Sequence, residues 1–127
     1  DARVIVVHAL PSTAHLLNYV TSRSMVESIL DESKARTEKF LKEFVEKNLP
    51  GVTMIDLEGT YLVWLDFRKT GLSVDELEHR VIHKAKLWLD SGKIFGECGI
   101  GFQRINVACP RSILEDALNR IKAAIYA

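Results

Sequence analysis

The stretch Gly92-Lys93-Ile94-Phe95-Gly96-Glu97-Cys98-Gly99-Ile100-Gly101-Phe102-Gln103-Arg104-Ile105-Asn106-Val107-Ala108 changes character halfway along. Its first ten residues hold four of the chain's seven glycines. That density marks a loop whose backbone needs unusual dihedrals or a close approach to something. Phe102 to Ala108 then alternates as a strand. Ile105 and Val107 face one way, most simply the core. Arg104 and Asn106 face the other way, with Phe102 and Ala108. An arginine in mid-strand, directly after a glycine loop, has two readings on spacing alone. It is a bidentate carboxylate clamp, or it sits on the solvated face of an antiparallel sheet.

Working outward from this strand, the remaining elements fall into place. Tyr61-Leu62-Val63-Trp64-Leu65-Asp66-Phe67 is nearly all apolar and predicts a central strand covered on both faces. Val52 to Glu58 predicts its neighbour, joined through Gly59-Thr60 as a hairpin. Three S-x-x-E patterns, at Ser24–Glu27, Ser73–Glu76 and Ser112–Glu115, read as capping boxes. The first opens a helix on Met25, Val26, Ile29, Leu30, Phe40, Leu41, Phe44 and Val45, ended by Asn48-Leu49-Pro50-Gly51. Glu38–Lys42 and Glu43–Lys47 are i,i+4 pairs of favourable orientation on it. The second opens a helix on Leu77, Val81 and Ile82, ending near Lys84. The third opens a helix that buries Ile113, Leu114, Ala117, Leu118, Ile121 and Ile125. Leu87-Trp88-Leu89 is a short strand. Val4-Ile5-Val6-Val7 is a further β-branched run, and a helical pattern begins at Ser12 or later. The order predicts an α+β fold: a small, mainly antiparallel sheet packed against helices in two layers.

Composition bounds the function. The chain has 127 residues, one domain's worth, with 17 basic and 17 acidic side chains. Zero net charge argues against a nucleic-acid binder working by bulk charge and against a polybasic membrane anchor. Hydrophobic residues at 47% are too many for a disordered chain, and no apolar run has the length of a membrane span. Cys98 and Cys109 make no disulfide framework and read as free thiols of a cytoplasmic protein. His79 and His83 share one helical face at i,i+4, but Arg80 stands where a zincin needs Glu and no third ligand follows, so no metal is expected. Gly92-Lys93 is followed by Ile, which excludes a phosphate-binding P-loop. Ser91-Gly92-Lys93 matches the Ser-x-Lys of some pyridoxal-phosphate sites only as a chance triplet on an exposed loop.

Two segments carry a family resemblance. Glu58-Gly59-Thr60-Tyr61-Leu62-Val63-Trp64-Leu65-Asp66-Phe67-Arg68 resembles a stretch of the C-terminal domain of fold-type-I pyridoxal-phosphate enzymes. The run from Phe95 through Gly101 and Arg104 to Cys109-Pro110-Arg111 is similar to the C–S lyase (cystathionine β-lyase, maltose-regulon-modulator-like) branch of the class-I/II aminotransferases. The resemblance covers about Glu38 to the end. It implies pyridoxal 5'-phosphate as the electron sink for a Cα carbanion of an amino-acid substrate. β-Elimination or transamination follows. It implies a cytoplasmic homodimer, and it maps the arginine that holds the substrate α-carboxylate onto Arg104. In the family, the Schiff-base lysine and the other cofactor-binding residues belong to a large domain that precedes this segment. The expectation is therefore an N-terminal segment over 1–23 that matches the family poorly and a C-terminal small domain over 24–127. This chain should contain no catalytic or cofactor-binding residue and bind no cofactor alone. The alternative is a stand-alone small-molecule-binding or regulatory α+β module without catalysis.

Overall fold

A computed structural model describes Ile5–Val6 and residues 23–127, with side chains from residue 27 onward. The elements run β1 (Ile5–Val6), α1 (Arg23–Asn48), β2 (Thr53–Met54), β3 (Leu62–Asp66), α2 (Val74–His79), β4 (Leu87–Trp88), β5 (Asp90–Ser91), β6 (Phe102–Asn106) and α3 (Arg111–Tyr126). A wider π-helical turn, Arg80–Lys84, extends α2. The main sheet has the order β2-β3-β6-β5 and every pair in it is antiparallel. The α+β expectation holds. The Val4–Val7 run finds its partner too: Ile5–Val6 pairs in parallel with Leu87–Trp88. The helical pattern near Ser12 lies outside the described residues. Among the described residues no helix is long and apolar enough to cross a membrane.

The core lies on one face of the sheet. Val63 and Leu65 of β3 and Ile105 of β6 meet Leu41, Val45 and Leu49 of α1 and Leu114, Leu118 and Ile121 of α3 in a single apolar cluster. Each is at most 1% exposed. Burying such a side chain is favourable by about 1.5–3 kcal/mol, which is why these residues, rather than intrinsic propensity, fix where the helices sit. The other face is only half covered: Leu62, Trp64 and Asp66 alternate with the buried residues. The expectation that Tyr61–Phe67 would be covered on both faces is corrected accordingly.

Several local readings change for identifiable reasons. The register of β2 and β3 places Gly59 opposite Thr60, as a two-residue hairpin requires, but pairing ends with the Ile55 N–H donating to the Trp64 carbonyl at 2.9 Å. The expected strand Val52–Glu58 is cut short because α1 takes hold of residues 56–59. Lys42 pairs with Asp56 at 3.1 Å, Glu38 accepts the Leu57 N–H at 3.2 Å, and Lys34 donates to the Gly59 carbonyl. Glu38 and Lys42 thus both hold this loop, in addition to the attraction between them along the helix. Ile29 is 47% exposed, so the first half of α1 reaches past the core that its second half packs on. Ser24 lies inside α1, not at its cap. Ser112 lies inside α3, whose N-cap is Pro110. Proline presets the extended entry (φ −53°, ψ 142°), and its carbonyl accepts from Ile113 and Leu114. Ile113 is consequently 40% exposed, and Ala124 joins the buried stripe in its place. The Ser73 cap is as expected, with Oγ accepting the Glu76 N–H at 3.2 Å.

The glycine loop folds into two short 3-10 turns, Gly92–Phe95 and Glu97–Gly99. Its ends are pressed together. A Cβ on Gly92 would lie 1.9 Å from the Gly99 carbonyl oxygen, and one on Gly99 would lie 2.0 Å from that of Gly92. The loop is also tied to α2. Glu78 accepts from the Ser91 hydroxyl and the Lys93 ammonium, both at 2.5 Å. Burial works against the Glu78 carboxylate, but the Lys93 and Ser91 bonds outweigh it and hold the carboxyl below its ordinary 4.5. The tie therefore stabilises the fold above about pH 4.5 and fades as pH falls through the lowered value.

Two stability predictions follow from this geometry. Gly92→Ala and Gly99→Ala should each destabilise the chain by about 3 kcal/mol in urea unfolding, because backbone must move. Gly59→Ala, where a Cβ meets nothing within 4 Å, should stay within about 0.5 kcal/mol. Glu78→Gln should lower the melting temperature at pH 7 by roughly 2–5 °C, and the difference from wild type should shrink below about pH 4. A difference that persists unchanged in acid would contradict the ionic tie.

Candidate functional site

The half-covered face of the sheet is where the chemistry gathers. Across β3, β6 and β5 the register sets Trp64, Arg104 and Asp90 side by side in one row. Arg104 is central, with a side chain 25% exposed. Its Nε and Nη2 both donate to Oδ2 of Asp90, at 3.1 and 2.8 Å. Its guanidinium carbon stands 4.5 Å from the Phe95 ring centre and 5.8 Å from that of Trp64. Trp64 meets Phe95 edge-on at 5.2 Å and Phe102 at 6.3 Å. A planar cation is thus walled by aromatic rings on a half-buried face, where hydrogen bonds to it are stronger than in bulk water.

A second arginine borders the same band. Arg68 stacks on Phe102 at 4.7 Å and grips both oxygens of Asp66, Nε to Oδ1 at 2.9 Å and Nη2 to Oδ2 at 2.8 Å. The Arg68 hydrogen bond, ahead of the opposing effect of burial, holds the Asp66 carboxyl below its ordinary value. Arg68 is 62% exposed, so its pair belongs to the rim. The two arginines are distinct in kind: Arg104 is recessed and engages one oxygen of its acid, whereas Arg68 is in solvent and engages two.

The other residues singled out in the sequence fall elsewhere. Ser91 and Lys93 are engaged by Glu78, so the Ser-Gly-Lys triplet is a structural tie. His79 and His83 lie 5.0 Å apart on an exposed surface, and no group of three or more metal-ligating side chains occurs among the described residues. Cys98 is exposed; Cys109 is half-buried, and burial pushes its thiol up from the ordinary value. A groove of about 240 Å³ runs along the β5 edge, lined by Val81, Ile82, Trp88, Ile94 and Gln103 among others; Arg104 does not line it. Sequence reasoning missed Asp90, Phe95 and Trp64 as neighbours of Arg104. Asp90 sits fourteen positions upstream, opposite Arg104 only because the glycine loop doubles back, and no local period announces such a pairing.

What this face can do is bind a planar anion. Arginine has five N–H donors in a rigid fork, and its remaining donors match the two oxygens of a carboxylate. The face around Arg104 is aromatic and acidic, and the lysine of the loop is already paired with Glu78.

No family model matches the chain. Cystathionine β-lyase PatB of Bacillus subtilis is 42% identical over 99 residues, covering 76% of this chain and 26% of that protein. A PLP-bound protein of Clostridium difficile 630 is similar in structure with a TM-score of 0.76 and 46% identity, over 83% of this chain and 27% of that one. Cystalysin of Treponema denticola, whose crystal structure contains pyridoxal 5'-phosphate, gives 0.67 and 41% over 72% and 23%. Other relatives carry the names of aminotransferases as well as lyases. The chain spans about a quarter to a third of the length of the curated relatives it matches. Over that partial region its homologues and structural neighbours are PLP-dependent aminotransferase and cystathionine β-lyase proteins, and its fold is consistent with their C-terminal domain.

Proposed function

We propose that this chain is the C-terminal domain of a pyridoxal-phosphate enzyme acting on amino acids, a C–S β-lyase or an aminotransferase, and that Arg104 holds the substrate α-carboxylate. The observation that carries the reading is the recessed guanidinium of Arg104, backed by Phe95 and Trp64 on the half-covered face of the sheet. The cofactor, when bound, supplies an electron sink for the substrate Cα. In this reading the residues that hold it lie outside this chain. The chain's own part is binding: Arg104 fixes the carboxylate, and the aromatic rings keep water from its face. A fixed carboxylate sets the orientation of the Cα bond that must break, which is the positional contribution to the rate. The full-length protein is read as a cytoplasmic homodimer.

Two outcomes test the proposal. In the full-length protein, Arg104→Ala should weaken substrate and carboxylate-inhibitor binding by about 2–5 kcal/mol, the range for removing one partner of a close charge pair. Arg104→Lys should recover only part of it, since a point charge lacks the fork. Unchanged Michaelis constant and turnover in Arg104→Ala would rule the clamp out. Separately, the 127-residue chain mixed with pyridoxal phosphate should show no lyase or transaminase activity and no borohydride-reducible lysine adduct. A specific adduct, or tight binding of a free amino acid by the chain alone, would favour a self-sufficient binding module.

A further inference from the structure

We infer that Asp90 is the positioning residue for Arg104, holding the guanidinium by one edge so that another edge is presented to a carboxylate ligand. The inference rests on the reading of Arg104 as the carboxylate clamp. Its ground is a difference in what each neighbour can fix. Phe95, 4.5 Å from the guanidinium carbon, and Trp64, at 5.8 Å, wall the cation but offer it no acceptor atom. A ring face has no hydrogen-bonding direction, so it does not by itself set which edge of the fork faces outward. Only a directional acceptor on one edge decides which N–H groups point outward. Asp90 is that acceptor: Nε and Nη2 converge on its single oxygen Oδ2 at 3.1 and 2.8 Å. This engages the side edge of the fork and leaves the end-on pair, Nη1 with the second Nη2 hydrogen, for a ligand.

Asp90 is itself braced. It pairs directly with Arg104 in the ladder, and Ser91 pairs with Gln103, which is 2% exposed. Glu78 then holds Ser91 and Lys93, the residues that follow, from α2. The acid is therefore fixed from two sides, by the sheet and by the helix. It is 42% exposed, so its charge is partly screened from an incoming carboxylate while its bond to Arg104 stays directional. A purely electrostatic role would have the opposite sign. Asp90 would then repel the ligand, and removing its charge would tighten binding.

The test uses Asp90→Asn and Asp90→Ala in the full-length protein, alone and combined with Arg104→Ala. The Michaelis constant for the amino-acid substrate should rise about 5–20-fold in each single Asp90 variant, the modest end for charged hydrogen bonds because the pair is partly exposed. Turnover should fall with it, since a less firmly fixed carboxylate orients the Cα bond less well. In the Arg104→Ala background the Asp90 changes should add nothing, the non-additivity of residues that act through one another. In the 127-residue chain without cofactor, the Arg104 Nε–H proton should exchange slowly with solvent in nitrogen-15 NMR and rapidly in Asp90→Asn. An unchanged or lowered Michaelis constant in both Asp90 variants, an additive loss in the double variants, or equal Nε–H exchange with and without Asp90 would each overturn the assignment. A normal Michaelis constant in Arg104→Ala would instead sink the clamp reading, whatever the Asp90 variants show.

Discussion

The antiparallel ladder between β3 and β6 is the constraint on which everything else depends. Five residue pairs run from Leu62↔Asn106 to Asp66↔Phe102. Because side chains alternate, this one register puts Val63, Leu65 and Ile105 into the core and Trp64 and Arg104 onto the opposite face. A slip by one residue in β6 would turn Arg104 inward and Ile105 outward. An unpaired guanidinium in that core would cost several kcal/mol. The hydrophobic pattern that folds the sheet is thus the same pattern that aims the arginine. Fold and site are specified together.

The glycine loop completes what the ladder begins. Its closed neck, Gly92 against Gly99, brings β5 back alongside β6 at the right height for Asp90 to meet Arg104. The 3-10 turn between them carries Phe95 over the guanidinium. Neither contact would survive a floppy loop, and Glu78 reaches from α2 to hold its first residues. Packing of α2 through Leu77 and Val81 into the common core is therefore linked, through one carboxylate, to the geometry of the face around Arg104.

Much of this was legible in the sequence. The alternation in Phe102–Ala108 separated Arg104 from Ile105, the Ser73 cap was evident, and clustered glycines announced a constrained loop. What escaped was non-local or set by competition. Asp90 and Phe95 reach Arg104 only through a doubled-back chain. Lys34, Glu38 and Lys42 look like helix-surface charges, yet they bind the loop at residues 56–59 and stop the hairpin from zipping. Ser112 has the local signature of a cap, but Pro110 starts the helix first. The Ser-Gly-Lys triplet is legible as chemistry only until Glu78 is seen to occupy it.

In the proposed role the chain presents one recessed arginine to a carboxylate, which needs no basic surface and so is compatible with zero net charge. The most direct measurement is a crystal structure of the full-length protein with a bound amino-acid carboxylate inhibitor. The account predicts both carboxylate oxygens on the end-on edge of Arg104 at about 2.7–2.9 Å, with Asp90 still on the Nε edge. A carboxylate held by other residues, with Arg104 turned away from it, would contradict the account.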